Sequence, residues 1–378
     1  MGDHVARAAL SRLSEPGDTR LSALVTRLGA TKVYQLLRDE EDVAGVYTDV
    51  ATRLRGLDPE RELEEAAARG IRFVCPGDAE WPGQLAELDR AEPLQGRGGT
   101  PLGLWVRGPL SLEEACSRSA AVVGSRSATT YGTTVASEIG ATLASSEVCV
   151  VSGAAFGIDQ AGHRGALAGK GRTVAVLACG VDRPYPSAHK RLLDYIVDVG
   201  LIVSELPPGC SPTRLRFLSR NRVIAALTQG TVVVEAAVRS GALNTANWAA
   251  RLNRLVMGVP GPVNSAPSEG VHQLIRNRDA ALVTSGEDVL ELIAPVGAFL
   301  AAEARGPARP RDSLSGREQR VLDAVPLSQP APDESIARTA GIRTDEVRRA
   351  LASLRLRGFV EMSGSRWRLA SPTLGNDS

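Results

Sequence analysis

The sequence lacks any run of eighteen apolar residues, which is about the length that a helix needs to cross a membrane. Its first residues, MGDHVARAALSRL, also lack the apolar segment of a secretory signal peptide. The remaining composition, with 43% hydrophobic and 23% charged residues, is typical of a soluble globular protein. We therefore expect a cytoplasmic protein with no membrane partner.

Metal-binding and redox motifs are missing as well. The five cysteines include no Cys-x-x-Cys pair and are most simply interpreted as reduced core thiols. The four histidines lie far apart along the chain and show no zinc spacing. No serine or cysteine nucleophile motif is present, so the sequence predicts no catalytic residue, no metal and no cofactor.

The stretch AVVGSRSATTYG, residues 121–132, is the centre of the pattern. An apolar run too short for a helix leads into a hydroxyl-rich turn, and an Ala-rich segment of helical spacing follows. Strand, loop and helix in this order begin a βαβ unit, in which the loop offers backbone N–H groups and the helix dipole to an anion. Four hydroxyl donors, Ser125, Ser127, Thr129 and Thr130, and one cation, Arg126, add to these groups. The loop therefore predicts a phosphate site.

The same loop does not identify the phosphate. The dinucleotide fingerprint Gly-x-Gly-x-x-Gly is absent, since Gly124 and Gly132 lie eight residues apart, and no Gly-Lys-Ser/Thr sequence is present. A purely structural interpretation also stays open. In that interpretation Gly124 only makes a tight turn and Arg126 is a solvated surface charge.

Charge is unevenly distributed, although the net charge is only +1. Residues 1–114 carry 14 basic and 20 acidic groups, residues 115–286 carry 17 and 10, and residues 287–378 carry 13 and 13. Four stretches of the basic segment contain no Asp or Glu, and one of them holds Arg214, Arg216, Arg220 and Arg222. A basic middle segment indicates an anionic partner, whereas a solvated face is the other interpretation of any one stretch.

Composition and periodicity divide the chain into six segments. They are a small helical module (helix-hairpin-helix or SAM-like) at 1–70, a Pro- and Gly-rich connector with one or two short strands at 71–114, a Rossmann-like domain at 115–295, a linker at 296–315, a winged helix-turn-helix at 316–370 and a tail at 371–378. In the Rossmann-like domain, strands and helices alternate as in an α/β fold with a doubly wound, mostly parallel sheet. The third helix of the winged segment is arginine-rich, which suits either a DNA duplex or a protein partner.

Six apolar runs are the candidate strands of the sheet. They are Ala120–Val123, Val148–Val151, Thr173–Leu177, Leu201–Val203, Thr231–Val234 and Leu255–Gly258. The segments after them are rich in Gly, Ser, Thr and Arg, and one is a long polar connection that ends RLRFLSRNRVIAAL. Parallel strands place such segments on one rim of the sheet. We therefore expect an anion-binding surface larger than one nucleotide, suited to a polyphosphate backbone.

Three acidic or histidine positions have two interpretations each. Asp159 and His163 lie four apart on one helix and could form an acid/base pair, but capping and packing are the favoured roles. Glu235, at the end of an apolar strand, could orient an arginine or a ribose hydroxyl. An ion pair with Arg239 or Arg222 is an equally good interpretation.

Together these motifs resemble the DNA-processing protein A family, also called Smf, which is similar to the broader SLOG group of Rossmann-like nucleotide-binding domains. The matching stretches are Gly124-Ser125-Arg126, Tyr131-Gly132, Ser152 to Asp159 with His163, Tyr185-Pro186, Ser204-Glu205, Arg220 to Arg222, Glu235-Ala236, Arg239 to Gly241 and Val259 to Gly261. The sequence departs from the family pattern at Leu218 and Asn244 and around Asp279. These departures leave the detail of the loops open.

The resemblance implies a sequence-tolerant protein that binds single-stranded DNA, works as a homodimer and loads the RecA recombinase onto the strand in transformation and recombination. Single-strand binding protein is a further implied partner, either displaced or retained. Two alternatives come from other classes. One is a SLOG-type hydrolase or transferase of a nucleoside phosphate with Glu235 as the catalytic carboxylate, and the other is a duplex-binding regulator that acts through the winged segment.

Arg126 is the expected phosphate anchor of the strand. The full set of expected phosphate contacts is Gly124, Ser125, Arg126, Ser127, Thr129, Ser152, Gly153, Lys170, Arg172, Arg220, Asn221, Arg222, Ser240 and Gly241, with Phe156 as a candidate for base stacking. For Arg220 and Arg222, internal ion pairs with Glu205 or Glu235 are the alternative. For Asn221 the alternative is a role in fixing the loop.

Overall fold

The computed structural model describes residues 2–39, 56–295, 297–299 and 309–370. Contacts divide the chain into two compact units, Met1–Ala301 and Ala302–Ser378, and each is described by itself. The predicted helical module, connector and Rossmann-like domain all fall within the first unit. Much of the predicted linker and the whole of the predicted tail lie outside the described residues.

Four helices precede the sheet in the described part of the first unit. They are α1 (Asp3–Leu13), α2 (Thr19–Leu28), α3 (Ala30–Arg38) and α4 (Pro59–Ala67). Gly29, with a φ of +81°, separates α2 from α3 in a backbone conformation that favours glycine. The apolar faces of α1, α2 and α3 share one core, which contains Leu10, Leu24 and Val33. Within the predicted helical module, α2 and α3 are therefore two short helices joined at a glycine.

Nine strands of the described chain form one sheet. They are β1 (Ile71–Val74), β2 (Leu104–Arg107), β3 (Ser119–Val123), β4 (Cys149–Ser152), β5 (Thr173–Leu177), β6 (Leu201–Ser204), β7 (Gly230–Val233), β8 (Leu255–Gly258) and β9 (Ala281–Leu282). Their order is β1-β2-β6-β5-β4-β3-β7-β8-β9. β2 pairs antiparallel with β1 and β6, and the other neighbours are parallel. The predicted mostly parallel sheet is confirmed, and the predicted connector supplies its antiparallel edge.

Helices cover both faces of this sheet. They are α5 (Leu112–Ser117), α6 (Thr130–Ser145), α7 (Ile158–Ala168), α8 (Lys190–Val199), α9 (Arg214–Leu227), α10 (Gly241–Arg251), α11 (Glu269–Arg276) and α12 (Gly286–Ile293). Successive residues of β3 alternate between the two faces. Ala121 and Val123 share a core with residues of α9 and α10, whereas Ala120 and Val122 share one with residues of α6 and α7. Burial on both faces explains why the parallel strands read as continuous apolar runs.

The order of the strands reverses beside β3. The chain runs from β3 to β4, β5 and β6 on one side, and β7 then returns to the other side of β3. The segments after β3 and β7 therefore separate towards opposite faces and leave a crevice at the carboxyl ends of these strands. Doubly wound sheets bind their ligands in such a crevice.

The stretch RLRFLSRNRVIAAL, which the sequence analysis places at the end of a polar connection, is helix α9. Thr213 caps this helix by accepting a hydrogen bond from the backbone N–H of Arg216. The helical period separates its four arginines into two sets. Arg216 and Arg222 form ion pairs away from the crevice, whereas Arg214 and Arg220 line it.

In its described residues, the second unit consists of α13 (Gly316–Ala324), α14 (Asp333–Ala340), α15 (Thr344–Leu356) and an antiparallel pair, β10 (Val360–Ser363) and β11 (Arg366–Leu369). Three helices followed by a hairpin suit a winged helix-turn-helix, which stays a prediction. The arginines at α15 mostly face carboxylates of the same unit: Arg343 and Arg349 pair with Asp345, Arg348 pairs with Asp333, and Arg357 pairs with Glu318. These pairs reduce the positive charge that a DNA duplex would meet.

None of the helices in the described ranges is long and apolar enough to pass through a bilayer. All five cysteines are free thiols. Four of them are buried and Cys210 is partly exposed, which agrees with the predicted reduced thiols.

The pair between Arg222 and Glu205 generates a stability prediction. The Arg222 side chain is fully buried and makes two 2.5 Å hydrogen bonds to the Glu205 carboxylate. Arg222→Ala leaves the carboxylate of Glu205, whose side chain is only 12% exposed, without its partner, so it should lower the free energy of unfolding by about 3–5 kcal/mol. Urea denaturation measures this loss. The double variant Arg222→Met with Glu205→Leu should recover most of it, and an unchanged urea midpoint for Arg222→Ala would contradict the role of the pair.

His163 generates a prediction about acid stability. Its Nδ1 donates to the Thr173 hydroxyl at 2.7 Å, since that hydroxyl itself donates to the carbonyl oxygen of Val150, and its Nε2 is buried without a partner in the described residues. Burial, helped by the positive charge of Arg220, lowers the pKa of His163 from 6.5 to about 3. In the unfolded chain His163 therefore takes up a proton below about pH 6.5, whereas in the folded chain it stays neutral down to about pH 3. The folded state consequently loses stability as the pH falls through this window.

At pH 5, this proton uptake should cost about 2 kcal/mol of unfolding free energy relative to pH 7. His163→Gln removes the titrating group, so the stability difference between wild type and variant should narrow by that amount from pH 7 to pH 5. Urea denaturation at the two pH values is the measurement. A constant difference would show that His163 takes no part in the acid response.

Candidate functional site

A cleft of about 980 Å³ opens at the crevice beside β3. Its walls are the segments that follow β3, β4, β5, β6 and β7, together with helices α9 and α10. The turns that the sequence analysis expects at one rim of the sheet therefore meet in this cleft.

The cleft is electropositive. Among the described residues, its lining contains one carboxylate, Asp159, and four arginines, Arg126, Arg214, Arg220 and Arg239. Arg126, Arg214 and Arg239 are exposed, and none of them forms an ion pair with a described residue. Unpaired cations in a concave surface attract anions.

The carboxylate of Glu235 occupies the N-terminus of α6. Its Oε2 accepts a hydrogen bond from the backbone N–H of Thr129 at 2.9 Å, and its Oε1 accepts one from the Thr129 hydroxyl at 2.5 Å. The Thr129 oxygen in turn accepts from the N–H of Gly132 and caps the helix. The helix end that the sequence analysis assigns to a phosphate thus holds a carboxylate of the chain. Thr129 is a cap rather than a ligand contact, and Glu235 pairs with neither Arg239 nor Arg222.

The outer part of the loop after β3 keeps free donors. The N–H of Ser125 donates to the carbonyl oxygen of Glu235 at 2.6 Å, but those of Arg126 and Ser127 donate to no described residue. The Ser125 and Ser127 hydroxyls lie 3.4 Å apart, and the Arg126 and Ser127 side chains are exposed. These groups form a small donor surface for phosphate oxygens.

Gly124 has a packing role at the base of this loop. A Cβ at this position would lie 2.5 Å from Cγ1 of Ile158 and 2.8 Å from the carbonyl oxygen of Glu235. Any side chain would therefore push the loop away from β7. Gly124 places the donors of the loop and offers no side-chain contact of its own.

An aromatic ring lies beside Arg126, and a second ring lies next to the first. Its guanidinium carbon is 4.7 Å from the centroid of the Phe217 ring, and the Tyr185 ring lies 5.6 Å from the Phe217 ring. The cation–π contact restrains the guanidinium and leaves its N–H groups free to bind. The predicted site omits both rings. The spacing of Arg214, Phe217 and Asn221 on one face of a helix is the signal that would have found Phe217.

A buried polar network forms the floor of the cleft. Arg220, only 7% exposed, donates to the carbonyl oxygens of Gly153 and Val176 at 2.7 Å each. Asp159 accepts from the N–H groups of Gly153 and Ala155. Burial raises the pKa of Asp159 and lowers the pKa of Arg220, and the attraction between the two charges opposes both shifts. A Cβ at Gly153 would lie 2.0 Å from Nη1 of Arg220, so this glycine makes room for the guanidinium.

Two residues of the predicted site are internal. Arg222 is bound to the Glu205 carboxylate and is fully buried, as the ion-pair alternative proposed. Ser152 is also fully buried, and its hydroxyl donates to the carbonyl oxygen of Val122 at 2.6 Å. The prediction that these two side chains contact a ligand is wrong, because neither has a surface to offer.

Lys170 and Arg172 lie at the opposite edge of the sheet. They immediately precede β5, and β5 is parallel to β4 and β6, so they stand at the amino ends of these strands. The cleft lies at the carboxyl ends. The prediction that these two cations extend the surface around Arg126 is therefore wrong.

Asn221 holds α9 to the beginning of α10. Its Nδ2 donates to the carbonyl oxygen of Gly241 and to Oδ1 of Asn244, and its Oδ1 accepts from Nε of Arg220. Ser240 caps α10, whereas Gly241 is exposed and its Cα position faces open space. The alternative in which Asn221 fixes the structure agrees with these contacts.

Phe156 is 46% exposed but does not line the cleft. It lies across the loop after β3, next to His189. The cleft instead contains two cations that the predicted site omits, Arg214 and Arg239. Both belong to the stretches without Asp or Glu, so the charge pattern already pointed to them.

The fold brings His4, near the start of the chain, next to Cys75 and Asp78. Ligand atoms of His4, Cys75 and Asp78 all lie within 4.8 Å of one another. Within the described residues, Asp78 accepts from the N–H of Cys75, and Nε2 of His4 lies 3.0 Å from the carbonyl oxygen of Phe73. A metal ion bound by these three side chains would have to take Nε2 of His4 away from the carbonyl oxygen of Phe73.

Comparisons with known proteins agree with the fold. The profile of the family described as DNA recombination-mediator protein A matches residues 72–294. The chain is 42% identical over 374 residues to a protein of Mycobacterium tuberculosis described as DNA processing protein DprA, and the match covers 98% of this chain and 95% of that protein. It is 36% identical over 299 residues to Protein Smf of Escherichia coli, covering 76% and 74% of the two chains.

Solved structures show the same similarity. The X-ray structure of DNA processing protein A from Streptococcus pneumoniae is 32% identical, with a TM-score of 0.62, and covers 77% of this chain and 97% of that chain. The Helicobacter pylori protein, whose structure is described as showing its mode of single-stranded DNA binding, shares the fold at 23% identity and a TM-score of 0.50, covering 58% and 95%. The family profile spans more than half of the chain and a relative matches nearly all of it, so this chain belongs to the DNA recombination-mediator protein A (DprA/Smf) family.

Proposed function

We propose that the cleft binds single-stranded DNA without reading its sequence. The observation that carries this proposal is the set of three exposed, unpaired arginines, Arg126, Arg214 and Arg239, beside the Phe217 and Tyr185 rings. Cations for the backbone and aromatic faces for the bases are the combination by which single strands are bound. The same fold in the Helicobacter pylori protein is described as binding single-stranded DNA.

The spacing of these arginines favours a chain of phosphates over one nucleotide. Arg126 comes from the loop after β3, Arg214 from the first turn of α9, and Arg239 from the segment after β7. The cleft of about 980 Å³ lies at the upper end of the range for small-molecule pockets, about 300–1,000 Å³, and it is open to solvent. Cations on three separate elements suit successive phosphates along a strand.

The alternative of a nucleotide-processing enzyme requires Glu235 as its catalytic carboxylate, and the position of Glu235 does not suit that role. Glu235 is 1% exposed, and both of its carboxylate oxygens accept hydrogen bonds from Thr129. Its position at the N-terminus of α6 makes it part of the helix cap. No observation at the cleft favours this second function over strand binding.

We further propose that the chain acts as a mediator of recombination, which the family description itself supports. In this role a homodimer holds the single strand, loads RecA onto it and displaces or coexists with single-strand binding protein. Sequence-tolerant contacts to phosphates suit this task, because the strand that RecA receives has no fixed sequence.

Arg126→Ala should weaken binding of a single-stranded oligothymidylate about tenfold, because it removes one charged contact to a phosphate. It should also reduce the dependence of the logarithm of the affinity on the logarithm of salt concentration by about 0.7. Fluorescence anisotropy over a series of salt concentrations measures both quantities.

Arg172→Ala is the matched control for this experiment. It removes the same charge from the opposite edge of the sheet, so the affinity and the salt dependence should stay close to wild type. An equal loss in the two variants would contradict the proposed cleft. Saturation by a mononucleotide, with no gain in affinity for longer strands, would point to the enzyme alternative instead.

Mediator activity predicts faster formation of RecA filaments on strands covered with single-strand binding protein. The wild-type chain should accelerate ATP hydrolysis by RecA on such strands, and Arg126→Ala should lose this effect in proportion to its lost affinity. The Arg172→Ala variant again serves as the control. Normal strand binding with no effect on RecA would refute the mediator role while leaving the DNA-binding proposal intact.

A further inference from the structure

A second groove lies on the other side of the loop that follows β3. It has a volume of about 790 Å³ and runs between α6 and α7. Its lining includes four hydroxyl side chains and one amide, those of Ser127, Thr133, Thr134, Ser137 and Gln160. These groups can form hydrogen bonds with a phosphate or with the edge of a base.

This groove shares two residues with the cleft. Arg126 and Ser127 line both cavities, so the tip of one loop is the divide between them. A strand that lies in the cleft and contacts Arg126 can therefore pass over the loop into the groove without leaving its phosphate donors. The two cavities are neighbouring parts of one surface.

The groove contains an exposed aromatic ring on a rigid support. Phe156 is 46% exposed, and its ring packs edge-on against His189 with centroids 4.5 Å apart. His189 is buried, and its Nδ1 lies 3.0 Å from the carbonyl oxygen of Ala154. Gly157 has a φ of +77° and fits against the loop, since a Cβ there would lie 2.2 Å from the carbonyl oxygen of Ser125. The ring is therefore fixed relative to the loop that carries Arg126.

The charges of the groove favour a phosphate chain. Arg164 lines it on α7, is exposed and forms no ion pair with a described residue. Glu138, on α6, is the one carboxylate in the described lining. With Arg126 at the divide, the groove offers two guanidinium groups and an exposed ring, which suits a backbone with a stacked base.

We propose that the groove between α6 and α7 is a second segment of the single-stranded DNA site, entered over Arg126, with Phe156 stacking on a base and Arg164 contacting a phosphate. This inference rests on the proposed function of the cleft. It adds the path along which a longer strand leaves the cleft, and it assigns to Phe156 a position separate from the Phe217 ring.

The test compares short and long oligothymidylates of about 4 and about 16 nucleotides, the range that single-strand sites cover. Wild type should bind the longer strand more tightly. The variant Phe156→Ala with Arg164→Ala should lose about tenfold in affinity for the long strand and change little for the short one. Phe156→Trp with Arg164→Lys is the matched control and should retain the affinity for the long strand, since it keeps a ring and a charge.

A spectroscopic measurement adds a second readout. In Phe156→Trp, the added indole should be quenched by the long strand and not by the short one, relative to wild type treated in the same way. Equal losses for both lengths in the alanine variant, or no loss for either, would overturn the second segment. If wild type binds neither strand, the cleft proposal itself fails. If the short strand binds normally and the variant keeps the wild-type affinity for the long strand, the cleft proposal stands and only the groove is removed.

Discussion

The cleft depends on one buried carboxylate, that of Glu235 at the end of β7. It binds the N–H and the hydroxyl of Thr129, while the backbone carbonyl of Glu235 binds the N–H of Ser125. Gly132 makes this possible, because a Cβ there would lie 2.4 Å from the carboxylate. The segments that follow β3 and β7 are thus joined where they leave the sheet. The Glu235 carboxylate therefore balances the positive end of the α6 dipole. An anionic ligand would instead be bound by side chains outside this helix end.

Helix α9 connects the cleft to other parts of the first unit, because its two sides have different partners. On one side Arg214, Phe217 and Asn221 face the cleft. On the other side Arg216 makes hydrogen bonds of 2.7 and 2.9 Å to Glu15, in the connection between α1 and α2, and Arg222 is held by Glu205. The N-terminal helices therefore support the wall of the cleft from behind, which explains why they belong to the same compact unit as the sheet.

The fold, and the edge of the sheet at which the cleft lies, can be predicted from the sequence because both follow from local patterns. The apolar runs and the segments after them predict a parallel sheet with its ligand at the carboxyl ends of the strands. The wrong prediction for Lys170 and Arg172 was avoidable. These residues precede β5, and a segment that precedes a parallel strand lies at the edge of the sheet opposite the cleft. Arg222 and Thr129 could not be placed in this way. Their partners, Glu205 and Glu235, are separated from them in sequence, and only the folded chain decides which arginine or hydroxyl meets which carboxylate.

The side chains that are available to a ligand differ from an amide cradle, in which the backbone N–H groups of a helix end bind an anion. An amide cradle at a helix end fixes one phosphate, as nucleotide-binding loops do. Here Glu235 fills that position, and the free cations stand on separate elements, with Arg126 restrained by the Phe217 ring rather than by a carboxylate. Restraint by an aromatic ring limits the entropy lost on binding and leaves the charge uncompensated. Such a surface suits the proposed binding of single-stranded DNA, because it can contact the backbone at several points without contacting a particular base.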